Sequence, residues 1–524
     1  MKRLLSIALI VVMLTQCGAP APPQCTSIPR GSRQPAPELI AEAHAAWRIL
    51  ENSGRQSEWP AAQARYNLSV GKLFDQLRCP KRPWNDAATA MGTRLAPREL
   101  EDAHIEAAQV LFPAHTVNTD SLGERKVTPG LGLPIVGWCD QSAEGGAKRA
   151  MFAPPTGQPF NITALLRFDR GSVPSWQFTA PLQKSETTLG GRAVKLAADW
   201  SAGHAFYWSM CLLDDLTIQN VLLPERFQEE TGLYFGQPYD PDRIPVVFVH
   251  GVNSSPGTFK RMVNELAGQE WFRKKYQVWY FNYPTGNPWI VTSAAFRAFM
   301  NQAKNYAKAH GDRGNLEKTV IVAHSMGGLV TRSSVCDPKQ CFYKAYFKVP
   351  FNQLKLDARG RELIQNGLLY KPVDYPSRVI LMAVPHHGSP MAERYIFSWL
   401  SNLIKLPKRL TVDLVDITLR NTGAVLLQNP NRLPTAIDTL TPNDPSILAL
   451  QETAFPKHIR LNSIIGELGH GSIAKSSDGI VPYWSSHLSG VESEKVIPSS
   501  HMITDNPQAI QEVERILQIS GRSN

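Results

Sequence analysis

The sequence predicts an α/β domain over residues 240–524, a mostly parallel sheet with helices on both faces, preceded by a helical region and a β-rich region. Three observations predict it. From Ile244 onward, all-apolar runs of strand length alternate with helical stretches, the pattern of strands buried on both faces. Between residues 38 and 115 apolar residues recur at helical spacing, as in Ile40, Ala43, Trp47 and Leu50, then Tyr66, Val70, Leu73 and Leu77. Between 116 and 239, short strand-like pieces such as Thr163 to Phe168, Phe206 to Met210 and Thr217 to Leu223 lie between Gly and Pro clusters.

The amino terminus reads as an address. Lys2 and Arg3 precede the apolar stretch Leu4 to Leu14, too short to span a bilayer and suited to a secretion signal. Residues 1–16 are expected to be that signal. The stretch Leu14-Thr15-Gln16-Cys17-Gly18 resembles the bacterial lipoprotein signal, in which the Cys is acylated, although Gln16 departs from its small-residue preference. The resemblance implies an exported protein anchored to a membrane through Cys17, with Gly18 favouring the outer membrane. Residues 17–37, rich in Pro, Gln, Ser and Arg, then form a tether.

Composition narrows the rest. The 524 residues are 43% hydrophobic and carry a net charge of +10, the make-up of a folded globular protein, and no run of five like charges suggests nucleic-acid binding. Setting Cys17 aside leaves six of the seven cysteines in an oxidising compartment. Cys336 and Cys341 flank Asp337-Pro338-Lys339-Gln340, a short loop that a disulfide could close. No cysteine or histidine spacing suits a zinc site, so no metal is expected.

Within 240–524 the expected strands are Val246 to Val249, Val278 to Phe281, Thr319 to Ala323, Val379 to Ala383, Leu461 to Ile465 and Lys495 to Ile497. Residues 390–456 form an insertion far longer than an ordinary connection. It carries the apolar cluster Ile396, Phe397, Trp399, Leu400, Leu403, Ile404 and Leu406, which suits either a lid over an acyl cleft or helices packed on the core.

The chemistry concentrates after the third of these strands. Val320-Ile321-Val322-Ala323 runs into His324-Ser325-Met326-Gly327-Gly328 and then into a helical stretch, the strand, sharp turn and helix of a nucleophile elbow. Ser325 sits at the tip, where sterics require small residues two positions to either side, here Ala323 and Gly327. The N–H groups after it open a helix, where negative charge is favoured.

This hexapeptide, Ala323 to Gly328, resembles the elbow of the α/β-hydrolase superfamily, and in particular that of bacterial secreted lipases and esterases. Val247-Phe248-Val249-His250-Gly251, followed by Val252, resembles the family's first central strand and oxyanion loop. By that match the Val252 and Met326 N–H groups form the oxyanion hole, with His250, Gly251, His324 and Gly327 in support. A serine nucleophile needs a base and an orienting carboxylate, which in this fold follow in the order Asp then His. Asp478, in Ser477-Asp478-Gly479-Ile480-Val481, resembles the family's acid segment, with Glu467 as its rival. His501 follows the last strand, where the catalytic His lies, and His487 reads as structural. Ala383-Val384-Pro385-His386-His387-Gly388-Ser389 resembles a further lipase segment and suggests scaffolding of the site. In those lipases an Asp two residues beyond the base helps bind calcium; here it is Ile503, so no cofactor is expected.

The resemblance implies a serine hydrolase acting on an ester or lipid substrate through Ser325, His501 and Asp478. Acyl transfer to another acceptor uses the same groups, and a non-catalytic envelope adhesion or scaffold protein is the alternative of a different class.

Overall fold

The computed structural model describes residues 34–78, 84–95, 110–139, 151–154, 157–169, 172–210, 231–390, 408–426, 434–469 and 471–520. The expected signal, Cys17, the strand expected at Thr217 to Leu223 and the cluster from Ile396 to Leu406 lie outside them. The chain divides into two compact units, the second beginning at Leu213 and also taking in residues 148–155.

In the first unit, helices Ala36–Glu51 and Trp59–Arg78 share one core with a five-stranded sheet, so the helical and β-rich regions are not separate bodies. Trp47, Tyr66, Phe74, Trp176 and Phe178 fill that core. The Tyr66 hydroxyl accepts from Leu166 N and donates to Leu166 O, both at 2.9 Å, which satisfies the phenol inside apolar surroundings. The strand expected at Thr163 to Phe168 is present as Gln158–Arg167. The expectation at Phe206 to Met210 is corrected: these residues end the helix Ala202–Met210. Asp199 Oδ1 accepts from Ser201 N at 3.1 Å and Ala202 N at 2.8 Å, so a capping carboxylate starts the helix and outweighs the aromatic run.

The second unit is built on seven strands: β1 (Gly232–Phe235), β2 (Ile244–Val249), β3 (Tyr276–Asn282), β4 (Val320–His324), β5 (Arg378–Met382), β6 (Arg460–Glu467) and β7 (Ser493–Pro498). Their order is β1-β3-β2-β4-β5-β6-β7. Only the β1 edge pairs antiparallel, with Leu233 opposite Phe281, and the remaining pairs are parallel. All six strands expected from the apolar runs are present. The unit begins earlier than residue 240, because β1 buries Leu233 and Phe235 and Phe235 stacks on Trp279 at 4.2 Å. Phe152 stacks on Phe235 in turn, at 4.6 Å.

Helices cover both faces. On one, α2 (Trp289–Ala309), α3 (Met326–Val335) and α4 (Ala358–Leu368) pack Phe296, Met300, Leu329 and Ile364 against Val247, Phe281, Ile321 and Leu381. On the other lie α1 (Lys260–Gly268) and α6 (Pro507–Ser520). There Phe248 meets Phe259 at 5.0 Å, and the Tyr276 hydroxyl donates to Leu517 O at 2.6 Å. This is the α/β-hydrolase arrangement that the motifs imply. Within the insertion, α5 (Lys408–Arg420) buries Leu410 and Ile417 and exposes Val412 and Leu419. Its inner face helps enclose an apolar cavity of about 140 Å³ lined also by Ile290, Phe347, Leu363 and Leu368.

Candidate active site

The turn from β4 into α3 places Ser325 at φ 54° and ψ −128°, a left-handed conformation that a non-glycine residue adopts only under constraint. The constraint is visible. Ser325 N donates to Met382 O at 2.9 Å, and its carbonyl accepts from Gly328 N at 2.9 Å. A Cβ on Gly327 would fall 2.4 Å from the carbonyl oxygens of Val249 and His250, and one on Gly251 would fall 2.8 Å from Ser325 Cβ. The small residues are therefore what let α3 and the loop after β2 close around the serine.

Asp478 follows β6 and His501 follows β7, so three strand ends converge on one point. His501 Nε2 lies 2.9 Å from Ser325 Oγ, and Nδ1 lies 2.7 Å from Asp478 Oδ2. The other carboxylate oxygen accepts from Ile480 N at 2.9 Å and Val481 N at 2.7 Å. His501 N donates to Asp478 O at 3.0 Å, which fixes the base to the acid through the main chain as well. All three side chains are buried. The chain of contacts can pass a proton from the hydroxyl to the imidazole while the carboxylate holds the tautomer with Nδ1 protonated.

The rival Glu467, and five other carboxylates between Ser325 and Asp478 in the chain, have partners away from His501. Glu467 Oε2 accepts from Gly469 N at 2.7 Å. Asp374 pairs with Lys304, Asp413 with Arg359 and Asp416 with Arg420. Asp438 accepts from Thr435, and Asp444 caps Ser446.

The loop after β2 is held by an aromatic pair. The His250 ring stacks on Tyr283 at 4.1 Å, the Tyr283 hydroxyl donates to His250 O, and His250 Nδ1 donates to Gly251 O at 3.0 Å. The N–H on the far side of that last peptide belongs to Val252, so His250 orients and polarises it. Burial, only partly offset by this bond, lowers His250 to about 3, so the ring is neutral. Met326 is the first residue of α3, and its N–H has no intrahelical acceptor. Met326 follows the nucleophile directly, and a Cβ on Gly251 would fall 2.8 Å from Ser325 Cβ, so the peptide before Val252 passes beside the serine.

His386 is fully buried, and among the described residues neither ring nitrogen has a hydrogen-bond partner. Its N–H donates to Ser485 O at 2.9 Å, so Pro385 to Ser389 is laced to the segment after Asp478. His487 pairs with Glu494 at 2.8 Å. Among the described residues no group of three or more His, Cys, Asp or Glu is placed to hold a metal ion, and Ile503 is buried. The expected disulfide is corrected: Cys336 and Cys341 are free thiols. Cys336 turns inward at the end of α3, where burial pushes its thiol up to about 11 beside Arg332 and Thr453, while Cys341 faces Glu452.

Sequence reasoning missed Tyr283 and the serines at 389, 485 and 486. Ser389 and Ser485 donate to Ile480 O and Gly388 O, each at 2.5 Å, and Ser486 donates to Val384 O at 3.1 Å. Ser389 carried a signal, its place in the lipase-like segment; Tyr283 carried none.

No family model matches the chain, and no curated protein matches it. Among solved structures, a mature lipase of Bacillus licheniformis is similar at 18% identity, over 54% of this chain and 97% of that one, with a TM-score of 0.34. A butyrate-bound esterase of Thermogutta terrifontis is similar at 13% identity over 55% of this chain and 89% of that one, with a TM-score of 0.30. A metagenomic carboxyl esterase is similar at 13% identity over 54% and 78% of the two chains, with a TM-score of 0.30.

Proposed function

We propose that the protein is a serine hydrolase that cleaves carboxylic esters through an acyl-enzyme on Ser325. The observation that carries this is the unbroken contact from Ser325 Oγ through His501 to Asp478, with the serine at positive φ. His501 Nε2 takes the hydroxyl proton as Oγ attacks the ester carbonyl. The developing oxyanion is held by the Val252 and Met326 N–H groups, each such donor contributing roughly 3 kcal/mol at the transition state. The imidazolium, paired with the Asp478 carboxylate, then protonates the departing alcohol. Water repeats the sequence on the acyl-enzyme and returns the free serine.

The test is hydrolysis of p-nitrophenyl esters from acetate to palmitate by the chain lacking its signal, with Ser325→Ala as control. Activity that disappears in the variant supports the reading, and the chain length at which the rate peaks measures the acyl site. A folded wild-type protein inert toward every ester contradicts it.

We further propose that residues 1–16 direct export and that Cys17 carries the acyl anchor, on the strength of the short apolar run and the cysteine after it. Radiolabelled palmitate should enter the wild type and not Cys17→Ser, which should leave the membrane fraction. Equal labelling of both would contradict the anchor.

A further inference from the structure

The Asp478 carboxylate is backed by a hydroxyl that it does not touch. Ser389 Oγ donates to Ile480 O at 2.5 Å. The N–H across that same peptide, on Val481, donates to Asp478 Oδ1 at 2.7 Å. Because the peptide is planar, fixing its carbonyl fixes its N–H, and a carbonyl that accepts a hydrogen bond makes its own N–H a stronger donor. The run of contacts therefore continues from Ser389 through the Ile480–Val481 peptide to Asp478, His501 and Ser325.

We propose that Ser389 is a positioning residue for the triad, acting through that peptide to anchor Oδ1 and leave Oδ2 aimed at His501. Its own setting is rigid. Ser389 is 3% exposed, and its N–H donates to Leu440 O at 2.8 Å. The preceding carbonyl, Gly388 O, accepts from Ser485 Oγ. Such a bond strengthens the N–H dipole that faces the carboxylate, which balances the pull of Asp478 on the imidazolium. Losing it leaves the carboxylate less firmly held and lets His501 take its proton more readily. A serine that merely ties two loops together would affect stability alone.

This inference rests on the reading of Asp478 as the triad acid, and the test separates the two. Ser389→Ala and Ser389→Thr are compared with wild type in the full chain lacking its signal, each normalised to active sites titrated with a fluorophosphonate. In Ser389→Ala, kcat falls about tenfold with KM unchanged, as one lost net hydrogen bond would give. The acid limb of the kcat/KM profile moves to higher pH, and the downfield proton resonance of His501 Nδ1 broadens. Ser389→Thr, which keeps the hydroxyl, restores all three. A Ser389→Ala protein whose only defect is a lower melting temperature, with wild-type kcat per site and an unchanged acid limb, overturns the proposal. A wild-type protein inert on esters would defeat the hydrolase reading instead; the His501 resonance would then decide the role of Ser389 alone, a sharp signal in Ser389→Ala counting against it.

Discussion

His324 Nε2 lies 2.9 Å from the main-chain oxygen of His501, so the residue before the nucleophile holds the backbone of the base. A carbonyl only accepts, so Nε2 carries the proton and Nδ1 is bare, buried without a partner among the described residues. The rings sit 5.0 Å apart. His324→Ala should lower kcat about tenfold, the cost of one lost hydrogen bond that fixes a reacting group, in steady-state assays of protein matched for folded content. An unchanged kcat would show that the turn alone holds His501.

Acid should destabilise the second unit in a definite window. Burial lowers His250 and His324 to about 3, and it drives His386 well below its ordinary value. The unfolded chain protonates these rings below about 6.5, while the folded one keeps His250 and His324 neutral until near 3 and keeps His386 neutral well below its ordinary value, so the unfolded state binds more protons below about 6.5. Stability therefore falls as pH drops through that window, by about 1.4 kcal/mol per pH unit for each ring. Melting temperatures recorded from pH 7 to 5 should decline steeply, and His386→Leu should flatten the decline. A flat profile in the wild type would contradict the buried, neutral state of these histidines.

The two acidic candidates make opposite predictions. Asp478→Asn should reduce kcat by roughly four orders of magnitude, because an amide cannot hold the imidazole in the required tautomer. Glu467→Gln should stay near wild type, since among the described residues that side chain accepts from Gly469 N and does not reach His501. The reverse ranking in ester hydrolysis would move the acid to the end of β6.

Gly251→Ala tests the closeness of the loop after β2. The added methyl would meet Ser325 Cβ at 2.8 Å, so the loop or the serine must shift, and a misplacement of the nucleophile approaching about 1 Å should cost kcat on the order of a hundredfold. Circular dichroism should remain that of the wild type. Full activity in this variant would mean that the loop moves freely away from the nucleophile.

Much of this site was legible in the sequence because its constraints are local. A strand, a turn and the start of a helix, with Ala323 and Gly327 around Ser325, announce an elbow within the nine residues Val320 to Gly328, and the all-apolar runs marked six strands because both faces of this sheet are covered. What was not legible depends on packing at long range. The edge strand β1 is four residues long and takes its place only by pairing with β3. Tyr283 stacks on His250 from 33 positions away, and Ser389 reaches Ile480 across 91. The run from Phe206 to Met210 suits strand and helix equally by composition, and Asp199, four residues before Gly203, decided it as a cap. Cys336 and Cys341 are near in sequence but turn apart, one into the core behind α3 and the other toward Glu452.

The central claim is that Ser325 is a nucleophile activated by His501. The most direct measurement is covalent trapping: the purified chain is incubated with a fluorophosphonate and digested, and the modified peptide is identified by mass spectrometry. The account predicts a single adduct on Ser325, absent in Ser325→Ala and slowed by several orders of magnitude in His501→Ala. A folded wild-type protein that takes no label, or takes it at another residue, would contradict it.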